Sequence, residues 1–138
     1  LTPGIAQIFY GDETNRQLSD ARFNVDSDQA FRSDMNWCDI NQSQLLHFQR
    51  LGQIRRNNTV IATGRQYTID NHTCVRYNEK DKLVIRVEPI EGQKISLGGE
   101  FVEGEKVIEL YTGQTSIVNN GTVSFPRYEN SIAIIKRY

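Results

Sequence analysis

The run KLVIRVEPI, residues 82–90, sets Leu83, Val84, Ile85 and Val87 almost side by side, and SIAIIKRY, residues 131–138, repeats the pattern near the other end of the same region. Branching at Cβ suits an extended, pleated backbone, so these two runs, the densest of their kind, predict central strands of a sheet. Working outward, residues 59–138 break into short β-prone runs separated by turn residues, at 65–69, 74–77, 83–87, 94–97, 106–111, 115–118, 122–125 and 132–136. Regular spacing of this kind predicts an antiparallel sandwich of about eight strands in Greek-key order. NEKD at 78–81 and NNG at 119–121 have the chemistry of hairpin loops.

Upstream the texture differs. Asn41 followed by Gln44 resembles a capping box, and residues 42–56 then read as a helix. Leu45, Phe48, Leu51 and Ile54 step by three, so the apolar stripe drifts around the axis and becomes broad, which suits a helix packed against a barrel. Residues 14–39 form a long irregular stretch rich in Asp, Asn, Arg and Ser, the kind of loop that covers a site. Before it, GIAQIFYGDE at 4–13 carries an apolar run without polar alternation, predicting a strand covered on both faces that ends in Asp12 and Glu13. Parallel α/β barrels keep their chemistry at such carboxyl ends. The expected fold is therefore mainly β: a sandwich over 59–138, preceded over 1–58 by one strand, a loop and one helix of a (β/α)8 barrel.

Composition narrows the function. With 24% charged residues and a net charge of −1 in 138 residues, no broad basic field exists to hold a nucleic-acid backbone. No apolar run approaches membrane-spanning length, and no basic-then-apolar leader is visible, so neither nucleic acid nor membrane is an expected partner. Cys38 and Cys74 match neither a redox nor a zinc spacing and read as free structural thiols; His47 and His72 add no ligand set, so no metal site is expected. His47, on the apolar side of the predicted helix, reads as a half-buried, hydrogen-bonded side chain or as a catalytic or ligand histidine. Arg50, Arg55 and Arg56 suit a solvated helix terminus, with an anion site as the alternative. Sequons at Asn41, Asn57, Asn71 and Asn120 matter only in a eukaryotic secreted protein. In the β region Tyr67 and Tyr77 are candidates for sugar stacking, against the alternative of aromatic core fillers.

These motifs carry a resemblance. GIAQIFYGDE resembles the eighth-strand motif of the α-amylase superfamily of glycoside hydrolases, Gly-x-Pro-x-x-x-Tyr-Gly-x-Glu, with Gly4, Tyr10, Gly11 and Glu13 matching and Ala6 in place of the proline. FRSDMNW at 31–37 is similar to the Arg-x-x-Met-x-Trp stretch before the last barrel helix. LLHFQRLGQIRRNNTVI at 45–61 resembles that helix, and ELYTGQTSIVNNGTVSFPRYENSIAII at 109–135 resembles the all-β domain that follows the barrel. The four features occur in family order over nearly the whole chain.

The resemblance implies the carboxy-terminal part of an enzyme that cleaves α-glucosidic bonds with retention, whose aspartate nucleophile, glutamate acid/base and second aspartate follow the fourth, fifth and seventh strands. None of these falls on this chain, so no catalytic residue is assigned to it and the chain alone is expected to be inactive. Retaining hydrolysis needs two carboxyl groups about 5–5.5 Å apart across the scissile bond, which the adjacent Asp12 and Glu13 do not offer. Tyr10, Gly11, Asp12, Glu13, Arg32 and Trp37 are instead assigned to the barrel rim, as anchors for loops or as groups near substrate. Arg16, Arg22 and Arg32 pair with the acidic loop or reach substrate hydroxyls. Trp37 is expected to pack where loop and helix meet. The implied partners are the rest of the amylase barrel and, through the parent, an α-glucan polysaccharide or oligosaccharide, with an oligomer through the orphan opening strand. No cofactor is expected in this chain; calcium belongs to the parent if it is used. Two other roles stay open, a glucan-binding β-sandwich module and a protein-interaction domain, as do the extracytoplasmic and cytoplasmic compartments.

Overall fold

A computed structural model describes residues 1–17 and 32–138. The central part of the expected site-covering loop, with Arg22 and Phe31, lies outside the described residues. The chain forms two compact units, one of residues 1–6 and 51–138, the other of residues 7–50.

The first unit holds eight strands: β1 (Arg65–Asp70), β2 (Thr73–Tyr77), β3 (Lys82–Val87), β4 (Ile95–Ser96), β5 (Lys106–Glu109), β6 (Thr115–Ile117), β7 (Thr122–Val123) and β8 (Ile132–Arg137). Each coincides with one of the eight β-prone runs. Six form an antiparallel sheet in the order β1-β2-β3-β8-β5-β6, and β4 pairs with β7 in a second, two-stranded sheet. The last strand thus returns to lie between β3 and β5, the long-return connection of a Greek key. β3 and β8, the two runs richest in branched residues, are the innermost pair, in register from Leu83 opposite Lys136 to Val87 opposite Ile132.

Alternation along these strands divides the core. Val84, Ala133 and Ile135 join Val75, Ile95, Leu97, Phe101, Val123 and Phe125 in the cluster between the two sheets. Leu83, Ile85, Ile132 and Ile134, one residue out of phase, pack on the opposite face with Leu51, Ile54, Val60 and Ile61. The sheet is buried on both sides, which is why its central strands show no polar alternation.

The 78–81 loop closes the β2–β3 hairpin as expected: the Asn78 N–H donates to the Asp81 carbonyl at 2.9 Å, and the Asn78 side-chain oxygen accepts from the N–H groups of Lys80 and Asp81. The 119–121 turn is different. Asn120 and Gly121 both have positive φ, as a tight hairpin turn requires, yet the strands it joins, β6 and β7, belong to different sheets and share only the bridge of Asn119 with Thr122. Local turn chemistry set the reversal, and packing of alternate faces sent the chain across the core.

The expected opening strand is absent. Residues 4–10 belong to no ladder, and Ile5 is 98% exposed. An apolar run becomes a strand only when a neighbouring strand satisfies its backbone, and within its unit this segment is held otherwise. The Gly4 N–H donates to the Ala62 carbonyl at 3.0 Å, and Arg55 donates to the carbonyls of Thr2, at 2.8 Å, and Gly4. Arg55 is therefore neither a purely solvated terminus nor an anion site; it clasps the start of the chain.

The helix expected over 42–56 is α1 (Gln42–Asn57), followed by the single turn α2 (Val60–Thr63). Half of the capping box forms: the Asn41 side-chain oxygen accepts the Gln44 N–H at 3.0 Å. The Asn41 N–H, which the box would give to Gln44, donates instead to the Thr14 carbonyl at 3.1 Å.

Candidate functional site

In the unit of residues 7–50, the Tyr-Gly-Asp-Glu motif folds into a tight knot around Gly11 and a 3-10 turn (Asp12–Thr14). Gly11 sits at φ 93°, and a Cβ there would lie 2.4 Å from Arg16 Nε and 2.8 Å from Arg16 Cβ. Only glycine fits both the dihedral and the contact. The Gly11 carbonyl accepts the Thr14 hydroxyl at 3.1 Å and the backbone N–H groups of Thr14 and Arg16. Glu13 turns inward on the same knot, its Oε2 accepting the Gly11 N–H at 3.0 Å. One oxygen of its carboxyl group is thus held by its own turn, whereas the sequence reading has it anchoring neighbouring loops.

Arg16 lies over the Tyr10 ring, 4.4 Å from its centroid, a cation held by the negative face of the ring. Its guanidinium and the Tyr10 hydroxyl both donate to the Ser33 carbonyl, each at 3.0 Å, and Arg16 also donates to the Ser33 hydroxyl. Asn36 completes the knot. Its Oδ1 accepts the Thr14 hydroxyl at 2.6 Å, and its Nδ2 donates to the carbonyls of Thr14 and Asp39. The motif is a folding device that pins residues 33–39 to residues 10–16.

Asp12 and Arg32 are exposed and stand outside this network. Trp37, expected to pack at a junction, is 72% exposed: Asn36 and Asp39 close a turn, the Asp39 N–H donating to the Asn36 carbonyl, and leave Trp37 and Cys38 at its tip. On α1, His47 meets Phe48 edge-on at 6.0 Å, and burial draws its pKa below the usual histidine value. Both cysteines are free; Cys38 is exposed, and only Cys74 is half-buried, packed beside the core with its thiol pKa pushed up by burial.

In the sandwich unit the two candidate stacking residues do meet. Arg65 pairs with Tyr77 and Tyr67 with Val75 across β1 and β2, so Tyr67 and Tyr77 are diagonal neighbours on one face. Their rings contact edge to face, centroids 5.7 Å apart and planes at 64°. Tyr67 donates its hydroxyl to Glu100, which also pairs with Lys82 at 3.0 Å. Partial burial and the Glu100 carboxylate push the Tyr67 pKa up to about 12. The Tyr67 hydroxyl and Lys82 together hold Glu100 below the usual carboxyl range.

Two buried charged residues escaped the sequence reading. Arg76, fully buried, donates to the Ile61 carbonyl from Nε at 3.1 Å and from Nη2 at 2.6 Å, closing the carbonyl end of α2. Glu109, also fully buried, accepts the N–H groups of Tyr111, Thr112 and Ile134 and the Thr112 hydroxyl, all between 2.6 and 2.9 Å. The available signal was a lone charge inside an apolar β run, VRY for one and VIEL for the other.

Among the described residues no three His, Cys, Asp or Glu side chains come together as metal ligands. No helix among the described residues is long and apolar enough to cross a membrane.

No protein-family model matches the chain. Over 91 residues, 62% of its length, it is 35% identical to the periplasmic α-amylase of Escherichia coli (strain K12), of which it spans 13%. Among solved structures, a protein from Thermus thermophilus matches the whole chain with a TM-score of 0.75 at 20% identity, the chain spanning 29% of it. An Anoxybacillus α-amylase matches 80% of the chain at TM-score 0.63 and 20% identity, over 26% of its own length. AmyP, crystallised with maltose, matches 92% at TM-score 0.66 and 14% identity, over 30% of its length. The solved structures share the fold, and the curated relative shares sequence as well.

Proposed function

We propose, from the likeness to a periplasmic α-amylase, that this chain is the carboxy-terminal part of an α-amylase-type retaining glycoside hydrolase acting on α-glucans. The observation that carries the reading is the 35% identity over 91 residues. Residues 1–58 would close the barrel, and the sandwich of residues 59–138 would steady it. Two features support a scaffold role over a catalytic one. The Glu13 carboxyl group is spent on the Gly11 N–H of its own turn, and the six-stranded sheet carries a second apolar face, with Leu83, Ile85 and Ile134, that packs on the helical residues Leu51, Ile54, Val60 and Ile61. The catalytic carboxyl groups would then come from segments outside this chain.

The test is intact mass and light scattering on the protein purified from its source, assayed in parallel on soluble starch. The expected result is a species heavier than the 138-residue chain that releases products of retained α configuration, while the isolated chain releases none. A natural product no larger than this chain and without starch hydrolysis would overturn the reading.

A further inference from the structure

Asn120 and Gly121 are the two central residues of the turn between β6 and β7. Asn120 is exposed and lies at φ 52°, Gly121 lies at 67°, and the flanking Asn119 and Thr122 close the turn, each N–H donating to the other's carbonyl, at 2.9 and 3.1 Å. Positive φ at both central positions selects an asparagine followed by a glycine, and Asn120 is the one asparagine of the sequence that precedes a glycine. The same pair is chemically labile. The Gly121 nitrogen can attack the side-chain carbon of Asn120: the N–Cγ bond forms as the nitrogen loses its proton, the Cγ–Nδ2 bond breaks, and ammonia leaves. Water then opens the succinimide ring to an aspartyl or an isoaspartyl residue. With no Cβ at residue 121, nothing on that residue hinders the attack.

We propose that Asn120 is a site of spontaneous deamidation and that Glu103 sets its rate by holding the turn closed. The Glu103 carboxylate accepts both central N–H groups, that of Asn120 at 3.1 Å on Oε1 and that of Gly121 at 3.5 Å on Oε2. Backbone bonds bring it there: the Gly104 N–H donates to the Val118 carbonyl at 3.0 Å, and the Val118 N–H to the Glu105 carbonyl at 2.9 Å. The place now taken by the proton on Gly121 N is the place the new bond to Cγ must take. Ring closure therefore requires that this N–H first leave Glu103 and that the peptide plane between Asn120 and Gly121 turn, which is a local opening. A carboxylate beside the nitrogen also opposes the negative charge that develops as the proton departs. Glu103 is in this sense a positioning residue.

The product acts on the fold where the chain crosses from one sheet to the other. An isoaspartyl linkage adds a methylene to the main chain of a turn that has only two central residues, and either product places a second negative charge beside Glu103. The bonds exposed to this change are those of the Asn119–Thr122 pair and the one from the Leu97 N–H to the Gly121 carbonyl, 3.0 Å long. Beyond them lies the two-stranded sheet, in which Ser96 pairs with Thr122 and Ile95 with Val123, the latter two in the inter-sheet core. Deamidation at Asn120 thus ties the chemical age of the protein to the hold of β4 and β7 on that core.

The experiment is a time course of the 138-residue chain in warm neutral buffer beside the free peptide of residues 117–124, read by peptide mapping that separates aspartyl from isoaspartyl products; each event raises the mass by about 1 Da. The peptide should convert at least about tenfold faster than the folded chain, because it has no turn to open. Glu103→Ala should speed conversion at residue 120 of the folded chain about threefold to tenfold, the factor by which one hydrogen bond of ordinary net strength shifts an opening equilibrium. Glu103→Gln, which keeps one acceptor oxygen and loses the charge, should fall between the two. Amide exchange is followed alongside: Gly121 should exchange faster in both variants while the central strands β3 and β8 keep the protection of the parent. A folded chain that converts as fast as the peptide, no acceleration in either variant, or acceleration that comes with equal loss of protection in β3 and β8 would each overturn the inference.

Discussion

Replacing Glu109 by glutamine removes one acceptor oxygen and nothing else of the side chain's shape. In the native fold Oε1 accepts the N–H groups of Tyr111 and Ile134 at 2.8 and 2.9 Å, and Oε2 accepts the N–H and hydroxyl of Thr112 at 2.7 and 2.6 Å. Four donors around two oxygens require a group that only accepts. In Glu109→Gln the amide oxygen can keep Tyr111 and Ile134, and the Thr112 hydroxyl can rotate to accept from the new NH2. The Thr112 N–H cannot adapt; it faces a donor where it had an acceptor. A stranded donor of this kind costs about 1–3 kcal/mol, and the remaining bonds lose their charge assistance, so the total is about 3 kcal/mol. Against the roughly 0.05–0.15 kcal/mol per residue that holds a domain together, that is a large share. For a unit of this size it lowers the melting temperature by about 10–20 °C. A far-UV CD melt measures it, and amide exchange at Tyr111, Thr112 and Ile134 should speed up together, since one side chain links β5 and its following turn to β8. A variant that melts within about 2 °C of the parent, with exchange unchanged at those three amides, would refute the reasoning.

Arg76→Met keeps the length of the stem and removes the donors to the Ile61 carbonyl; it should cost about 2–3 kcal/mol in a urea melt and release exchange protection first in α2. Gly11→Ala forces a Cβ into Arg16 at a φ of 93°, so the Thr14 and Arg16 amides should lose protection while the sandwich melts as before. Asp70 accepts the His72 N–H and the Thr73 hydroxyl and pairs with Arg86, and these contacts, the His72 N–H foremost, hold its pKa below the ordinary value. A lowered folded pKa contributes stability that is present above the unfolded value and is lost as pH falls through the folded one. Asp70→Asn should therefore be less stable than the parent at pH 7, and the gap should close as the pH is lowered through the acid range, which paired denaturant melts would show.

The two apolar runs that open the chain and centre the sheet look alike on paper. Ile5, Ile8, Phe9 and Tyr10 are as apolar as Leu83, Val84 and Ile85, yet the first set is exposed and belongs to no strand ladder while the second is buried in one. An apolar composition states that a segment gains by burial; it does not name the strand that will satisfy its N–H and C=O groups. The turn motifs divide in the same way. Asn78 closes a loop from its own side chain and was legible, whereas the route of the 119–121 turn from one sheet to the other depended on which faces found partners.

The same limit governed the site residues. Tyr10, Gly11 and Glu13 were recognisable as a motif, but that Glu13 would turn back on Gly11 and that Arg16 would cover Tyr10 are consequences of a φ and a contact that no spacing encodes. Glu109 and Arg76 carried only the faint signal of a charge within a strand. What the sequence by itself determined is the set of local choices: eight β runs and their spacing, the helix over 42–56 with its Asn41 cap, and the turn residues, because backbone propensity and short-range hydrogen bonds are properties of neighbours in the chain. Only the tertiary structure decided which strand lies beside which, and which charged groups are buried and against what. Those outcomes depend on contacts between residues distant in sequence, where packing and the saturation of buried polar groups choose among arrangements that local preference leaves equal.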